Sequence, residues 1–99
     1  MFVNTTGDWG LDDEQKEALL SHVRDDGRGI VLAHAAIDAN YKWPEFAEMA
    51  GGWFRAHPWG TFDAPVIVED QTFPATRHMP KYLRLFDEMY SAREWSRDK

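Results

Sequence analysis

The stretch GIVLAH, residues 29–34, decides the fold class expected for this chain. A glycine is followed by four apolar residues, two of them β-branched, which is typical of a strand covered on both faces. Earlier in the chain, Phe2 and Val3 lead directly into NTTGD, a composition that favours the end of a strand. A helix predicted between these runs gives the order strand, helix, strand. That order predicts a parallel crossover and an α/β fold.

Two helices are predicted from signals at their ends. Asp12, with Gln15 three residues later, has the pattern of a capping box and predicts a helix over Asp13–Arg24. Proline at a first helical position and Gly51 at a stop predict a short helix over Pro44–Ala50. Beyond these helices, we expect a strand at residues 66–69 and an extended or weakly helical piece at residues 83–86.

Composition limits the function classes. With 99 residues and 43% hydrophobic residues, the chain suits one globular domain. A formal charge of −6 without any cluster of Lys and Arg argues against a nucleic-acid partner. No apolar run is long enough for a membrane span and no secretory signal is recognisable, so we expect no membrane partner and a cytoplasmic chain as given. The chain has no cysteine, which excludes a thiolate metal site and a cysteine nucleophile.

Polar residues follow both predicted strands where the strands end. Because the carboxyl ends of parallel strands lie at one edge of a sheet, where α/β proteins place their ligand sites, these residues are expected to converge. The alternative is that His34 only caps its strand or bonds a loop carbonyl. The set expected at this edge consists of Asn4, Thr5, Thr6, His34 and Asp38.

Several ordered motifs make the chain resemble the ThuA-like family, named for trehalose utilisation. The motifs are the turn HAA after the glycine-led strand and the segments WPEF, GGWFRAHP, PATRHMP and DEMY. The resemblance covers residues 2–90 and implies a flavodoxin-like three-layer sandwich with a mostly parallel sheet, similar to class I glutamine amidotransferases. Such domains run to about 200 residues. Residues 1–99 are therefore expected to be the middle of a domain, without its opening and closing elements and with sheet edges exposed to self-association.

The resemblance also implies a substrate class. Glutamine hydrolysis in the wider superfamily needs a cysteine, and this chain has none, so that reaction is excluded. A trehalose-type disaccharide or its keto form is the implied substrate, and the reaction type stays open. Isomerisation or elimination next to a ketone would suit His34 as general base with Asp38 as its orienting carboxylate. The alternative is a non-catalytic sugar-binding or interaction module of a larger protein.

Further residues are predicted to contact the sugar through flat aromatic surfaces and loop hydrogen-bond donors. Trp53 and Phe54, in contrast, are expected to pack in the core. Histidines and carboxylates occur along the chain but without a compact ligand spacing, so neither a metal nor another cofactor is expected. The predicted substrate-binding residues are Asn4, Thr5, Thr6, Trp43, His57, Arg77 and His78.

Overall fold

The computed structural model describes residues 1–97. These residues form two compact units, one made of residues 1–56 and the chain from Ser91 onward, the other of residues 57–90. The helices are α1 (Asp13–Arg24), a 3₁₀ helix (His34–Ile37) and α2 (Pro44–Ala50). The strands are β1 (Phe2–Val3), β2 (Val31–Leu32), β3 (Trp53–Ala56), β4 (Thr61–Ile67), β5 (Tyr82–Glu88) and β6 (Ser91–Arg93).

Helix α1 begins at the predicted capping box. The Asp12 carboxylate accepts a hydrogen bond from the Gln15 backbone N–H at 2.8 Å, and the Gln15 side chain accepts one from the Asp12 N–H at 3.1 Å. Two backbone donors at the helix start are therefore satisfied by side chains. The predicted bounds of this helix are confirmed.

Helix α2 has the predicted bounds as well. Pro44 occupies the first turn, where its missing N–H leaves no hydrogen bond unmade. Gly51 ends the helix with φ of 81°, a left-handed conformation that glycine adopts without a Cβ clash. Its backbone N–H donates to the Ala47 carbonyl.

The predicted parallel crossover is confirmed, but its strands are short. Strand β1 pairs with β2 in parallel, with Phe2 opposite Val31 and Val3 opposite Leu32. The expectation of a strand covered on both faces is wrong for the described residues, since Val31 is 55% exposed. The sheet has only two strands, and too little of the described chain surrounds it to bury both of its faces.

The other two sheets are antiparallel pairs, so the described sheets are not mostly parallel as expected. Strand β3 pairs with β6, and β4 pairs with β5 along seven residue pairs. The strand expected at residues 66–69 overlaps only the end of the longer β4, and residues 83–86 lie in β5 and are extended. Each antiparallel pair forms within a separate unit.

The hydrophobic core lies in the first unit. Ala39, Trp43, Phe46, Ala47 and Trp53 are buried together, and the Trp9 ring packs edge-on against Phe46 with centroids 5.1 Å apart. Trp53 is 4% exposed, which confirms its predicted place in the core. Most of these residues lie in or next to α2, so α2 anchors the loops that precede and follow it.

No helix within residues 1–97 combines the length and the apolar character needed to cross a membrane.

Candidate functional site

His34 occupies the turn directly after β2. It is the first residue of the 3₁₀ helix and has φ of 46°, a left-handed conformation that is uncommon for a residue other than glycine. Its side chain is exposed. Such conformations concentrate at functional sites, where the surrounding structure holds them in place.

The loop after β1 is joined to the segment that follows His34. The Gly7 N–H donates to the Asp38 carbonyl at 2.9 Å, and the Asn40 N–H donates to the Gly7 carbonyl at 3.2 Å. These bonds form a parallel bridge between Gly7 and Ala39, which continues the strand pairing beyond β1 and β2. The predicted proximity of the NTTGD loop and the residues after His34 is therefore present in backbone hydrogen bonds.

Asp38 is the centre of the side-chain contacts between these two segments. The Thr6 hydroxyl lies 2.6 Å from the Asp38 carbonyl oxygen and 2.7 Å from Oδ2 of its carboxylate, and donates its proton to this pair of acceptors. The Tyr41 hydroxyl donates to Oδ1 of the same carboxylate. Hydrogen bonds to a charged acceptor are stronger than neutral ones, so Asp38 fixes Thr6 and Tyr41 beside each other.

A buried asparagine supports the same loop from behind. Asn40 is 7% exposed and has φ of 52°, and its Oδ1 accepts a hydrogen bond from the backbone N–H of Trp9 at 3.1 Å. Asparagine tolerates this left-handed conformation better than most residues. Backbone and side-chain hydrogen bonds thus both hold the loop of residues 4–9 to residues 38–41.

Thr6, Asp38, Tyr41 and Arg93 form a group that we call the Asp38 cluster. Two of these residues, Tyr41 and Arg93, were not predicted from the sequence. Tyr41 is not among the predicted site residues, although its spacing of three residues from Asp38 permits a contact within one turn. The Arg93 guanidinium lies over the rings of Tyr41 and Trp53, with Cζ 4.5 Å and 5.0 Å from the two centroids. No local signal points to Arg93, because the pairing of β3 with β6 brings it there.

The remaining predicted residues of the first unit have different surroundings. Asn4 and Thr5 are exposed in the loop after β1, on the same segment as Thr6. Trp43 is only 6% exposed and packs against Phe46, with ring centroids 5.7 Å apart. Its ring is therefore largely covered by the core, which leaves little surface on which a sugar would stack.

Three predicted residues lie in the second unit. His57 stacks on Tyr90 with centroids 6.0 Å apart, and its Nδ1 is 3.8 Å from Oε1 of Glu88. Arg77 and His78 are exposed in the loop between β4 and β5. The roles predicted for these three residues stay predictions.

The loop that carries Arg77 and His78 begins with a hydrogen-bonded turn at Asp70. The Asp70 carboxylate accepts from the Thr72 hydroxyl and backbone N–H, both at 2.7 Å. These two bonds, the hydroxyl first, lower the pKa of Asp70 below its usual value because they favour the ionised carboxylate. The Thr76 hydroxyl donates to the Asp70 carbonyl at 2.6 Å, which closes the turn.

Two other features do not contribute to the Asp38 cluster. A groove of about 360 Å³ lies between α1 and α2, lined by Leu20, Val23, Met49 and three charged side chains, and it includes no predicted site residue. Within residues 1–97, no group of three or more His, Asp or Glu side chains is placed to hold a metal ion.

Comparison with known proteins agrees with the motifs. The model of the ThuA family, described as trehalose utilisation, matches residues 1–99. No curated protein and no solved structure matches the chain. Because the family model spans the whole sequence, the chain belongs to the ThuA family of trehalose-utilisation proteins.

Proposed function

We propose that this chain acts on a trehalose-type disaccharide or its keto derivative, with His34 as the general base. The observation that carries the proposal is the hydrogen-bonded contact of Thr6 with Asp38, which joins the loop after β1 to the segment after His34. Membership of the trehalose-utilisation family supplies the substrate class. The exposed, left-handed His34 supports the choice of base.

The proposed step is proton abstraction beside a ketone. A ring nitrogen of His34 takes the proton from the carbon next to the carbonyl, and the electron pair of that C–H bond moves to give an enediolate. Return of the proton to the former carbonyl carbon, with the hydroxyl proton moving to the former carbonyl oxygen, would isomerise the ketone. Alternatively, the enediolate expels the glycosidic oxygen one carbon further on, which takes the proton from His34 and leaves as the alcohol, and the reaction is an elimination. A general base of this kind contributes about 100-fold or more to the rate.

For Asp38 we propose a structural role beside the predicted one as orienting carboxylate. Its two carboxylate oxygens accept hydrogen bonds from the hydroxyls of Thr6 and Tyr41. We therefore assign it as a positioning residue that holds the two loops together, with Asn4, Thr5 and Thr6 offering polar groups to the sugar hydroxyls. His57, Arg77 and His78 are not needed for this proposal.

The proposal is tested by replacing the base. His34→Gln should lower turnover of the keto disaccharide about 100-fold or more, followed by ¹H NMR, while the affinity for the sugar stays close to that of the wild type. His22→Gln is the matched control, since His22 is a half-buried residue of α1 outside the cluster. Equal turnover by the two variants would rule out His34 as the base.

A second candidate function is a non-catalytic sugar-binding module. The second unit presents Trp59 with 63% of its surface exposed, its ring supported by Phe62 at a centroid distance of 6.5 Å. A supported, exposed indole is suited to stacking on a sugar ring. This candidate predicts sugar binding without turnover and a loss of that binding in Trp59→Ala. Turnover that depends on His34 would exclude it.

A further inference from the structure

We propose that Arg93 is a substrate-binding residue of the Asp38 cluster, where its guanidinium hydrogen-bonds two neighbouring oxygens of an uncharged sugar. The inference rests on the proposed function and names a residue and a ligand class that the function itself does not require.

The position of Arg93 is fixed by aromatic stacking. Arg93 is the direct register partner of Trp53 across the β3–β6 pair. Its Cζ lies over two rings, that of Tyr41 and that of Trp53, whose centroids are 6.0 Å apart. A guanidinium is attracted to the faces of aromatic rings and stacks on them. The side chain is thus held in place without using its N–H groups.

Other arginines of the chain use their N–H groups for carboxylates. Arg24 donates to Glu17 at 2.7 Å, and Arg84 donates to Asp63 at 2.8 Å. Within residues 1–97, no carboxylate lies at ion-pair distance from Arg93, which is exposed. A guanidinium carries five N–H donors in one plane. Because Arg93 is exposed and its described contacts are with aromatic rings, these donors remain available to a ligand.

Arg93 also adjoins the proposed site through a single ring. The Tyr41 ring stacks with Arg93, and its hydroxyl donates to the Asp38 carboxylate, which also accepts from Thr6. The N–H donors of Arg93 are therefore separated from Asp38 and Thr6 only by the Tyr41 side chain, and a sugar that contacts the loop of Thr6 lies near them.

The charges around Arg93 reduce its preference for an anionic ligand. The Asp38 carboxylate is one tyrosine side chain away and the chain carries a formal charge of −6, which weakens the attraction of this guanidinium for an anionic group. A guanidinium fork matches two oxygens at neighbouring positions. Vicinal hydroxyls, or a carbonyl beside a hydroxyl, provide this pair in a neutral sugar.

The test measures sugar binding by variants of the full chain. Trehalose, its keto derivative and a matched uronic acid are titrated into wild type, Arg93→Lys and Arg93→Met by calorimetry. Arg93→Met keeps the apolar stem and removes every donor, and it should bind the neutral sugars about tenfold more weakly or worse. Arg93→Lys keeps a cation over the rings but lacks the planar fork, and it should also lose affinity.

Controls separate binding from structure. Arg28→Met removes an exposed arginine outside the cluster and should bind like the wild type, and melting curves should show that Arg93→Lys stays folded. In wild type, the Arg93 Nε–H resonance should shift on addition of sugar, which a purely structural arginine would not show. Unchanged affinity in both Arg93 variants would overturn this inference alone. Tighter binding of the uronic acid would overturn the ligand class, and absence of any sugar binding by wild type would overturn the proposed function.

Discussion

The hydroxyls of Thr6 and Tyr41 both donate hydrogen bonds to the Asp38 carboxylate. The bond from Thr6 joins segments about 30 residues apart in the sequence. Tyr41→Phe removes one of these hydroxyls and leaves the ring on which Arg93 stacks. We expect a loss of about 1 kcal/mol in the free energy of unfolding, the usual value of one hydrogen bond. Urea denaturation measures it. Tyr82→Phe is the control because Tyr82 is 67% exposed, and an equal loss in both variants would contradict the structural role of the Tyr41 hydroxyl.

A second carboxylate makes the loop between β4 and β5 sensitive to acid. Hydrogen bonds from Thr72 lower the pKa of Asp70 below the ordinary 3.8. A group whose pKa is lower in the folded state stabilises the fold above its unfolded value, and this contribution is lost as the pH falls through the folded pKa. The turn should therefore loosen as the pH falls below 3.8.

A ¹³C NMR titration of the Asp70 carboxyl tests this prediction. Its midpoint should lie below 3.8 in wild type and move upward in Thr72→Val, which removes the hydroxyl donor and keeps the backbone N–H. An identical midpoint in the two proteins would show that the hydroxyl bond is not formed in solution.

Among the structural elements, the β3–β6 pair depends on a close approach at Gly52. A Cβ at this position would lie 2.9 Å from the Arg93 carbonyl oxygen and 3.1 Å from the Trp95 Cα, and φ is 142°. Gly52→Ala should lower the free energy of unfolding by about 2 kcal/mol or more, through both the clash and the backbone conformation.

The matched variant is Gly27→Ala, where φ is 63° and nothing lies within 4 Å of the added Cβ. It should lose about 1 kcal/mol, the ordinary penalty for a left-handed residue other than glycine. Thermal or urea unfolding compares the two. A smaller loss at Gly52 than at Gly27 would contradict the packing of β6 against it.

The same elements show what was predictable from the sequence. Both helices were predicted because their signals are local, namely Asp12 with Gln15, Pro44 and Gly51. The contact of the loop after β1 with residues after His34 followed from the rule for parallel strands. The pairing of β3 with β6 was not predictable, because β6 has three residues and its partner lies about 40 residues earlier. For the same reason, the position of Arg93 beside Tyr41 was not predictable from the sequence.

At the scale of the molecule, the second unit exposes large apolar side chains. On one face of the β4–β5 ribbon, Phe86 is 77% exposed, Tyr82 67% and Ile67 58%, and the Arg84–Asp63 ion pair lies between them on the same face. Two-stranded ribbons are marginally stable by themselves, and exposed apolar faces promote association. We expect the full chain to self-associate as its concentration rises, in sedimentation velocity experiments.

Phe86→Lys should weaken this association, since it replaces an apolar side chain that is 77% exposed with a charge. Ala75→Lys makes the same change of charge on an exposed loop residue and should leave association unchanged. A monomer at all concentrations, or equal effects of both lysines, would show that the ribbon face is not the contact.

The register of the β3–β6 pair has a consequence for how this chain tolerates change. Ala56 lies opposite Ser91, so the segment of residues 57–90 departs from and returns to neighbouring positions on one small sheet. The backbone pairing of β3 with β6 therefore holds the two ends of this segment next to each other. The positions of α1, α2 and the Asp38 cluster therefore do not depend on how long this segment is. We therefore expect a change in the length of this segment to leave the residues proposed to handle the sugar in place, because the β3–β6 pair fixes both of its ends.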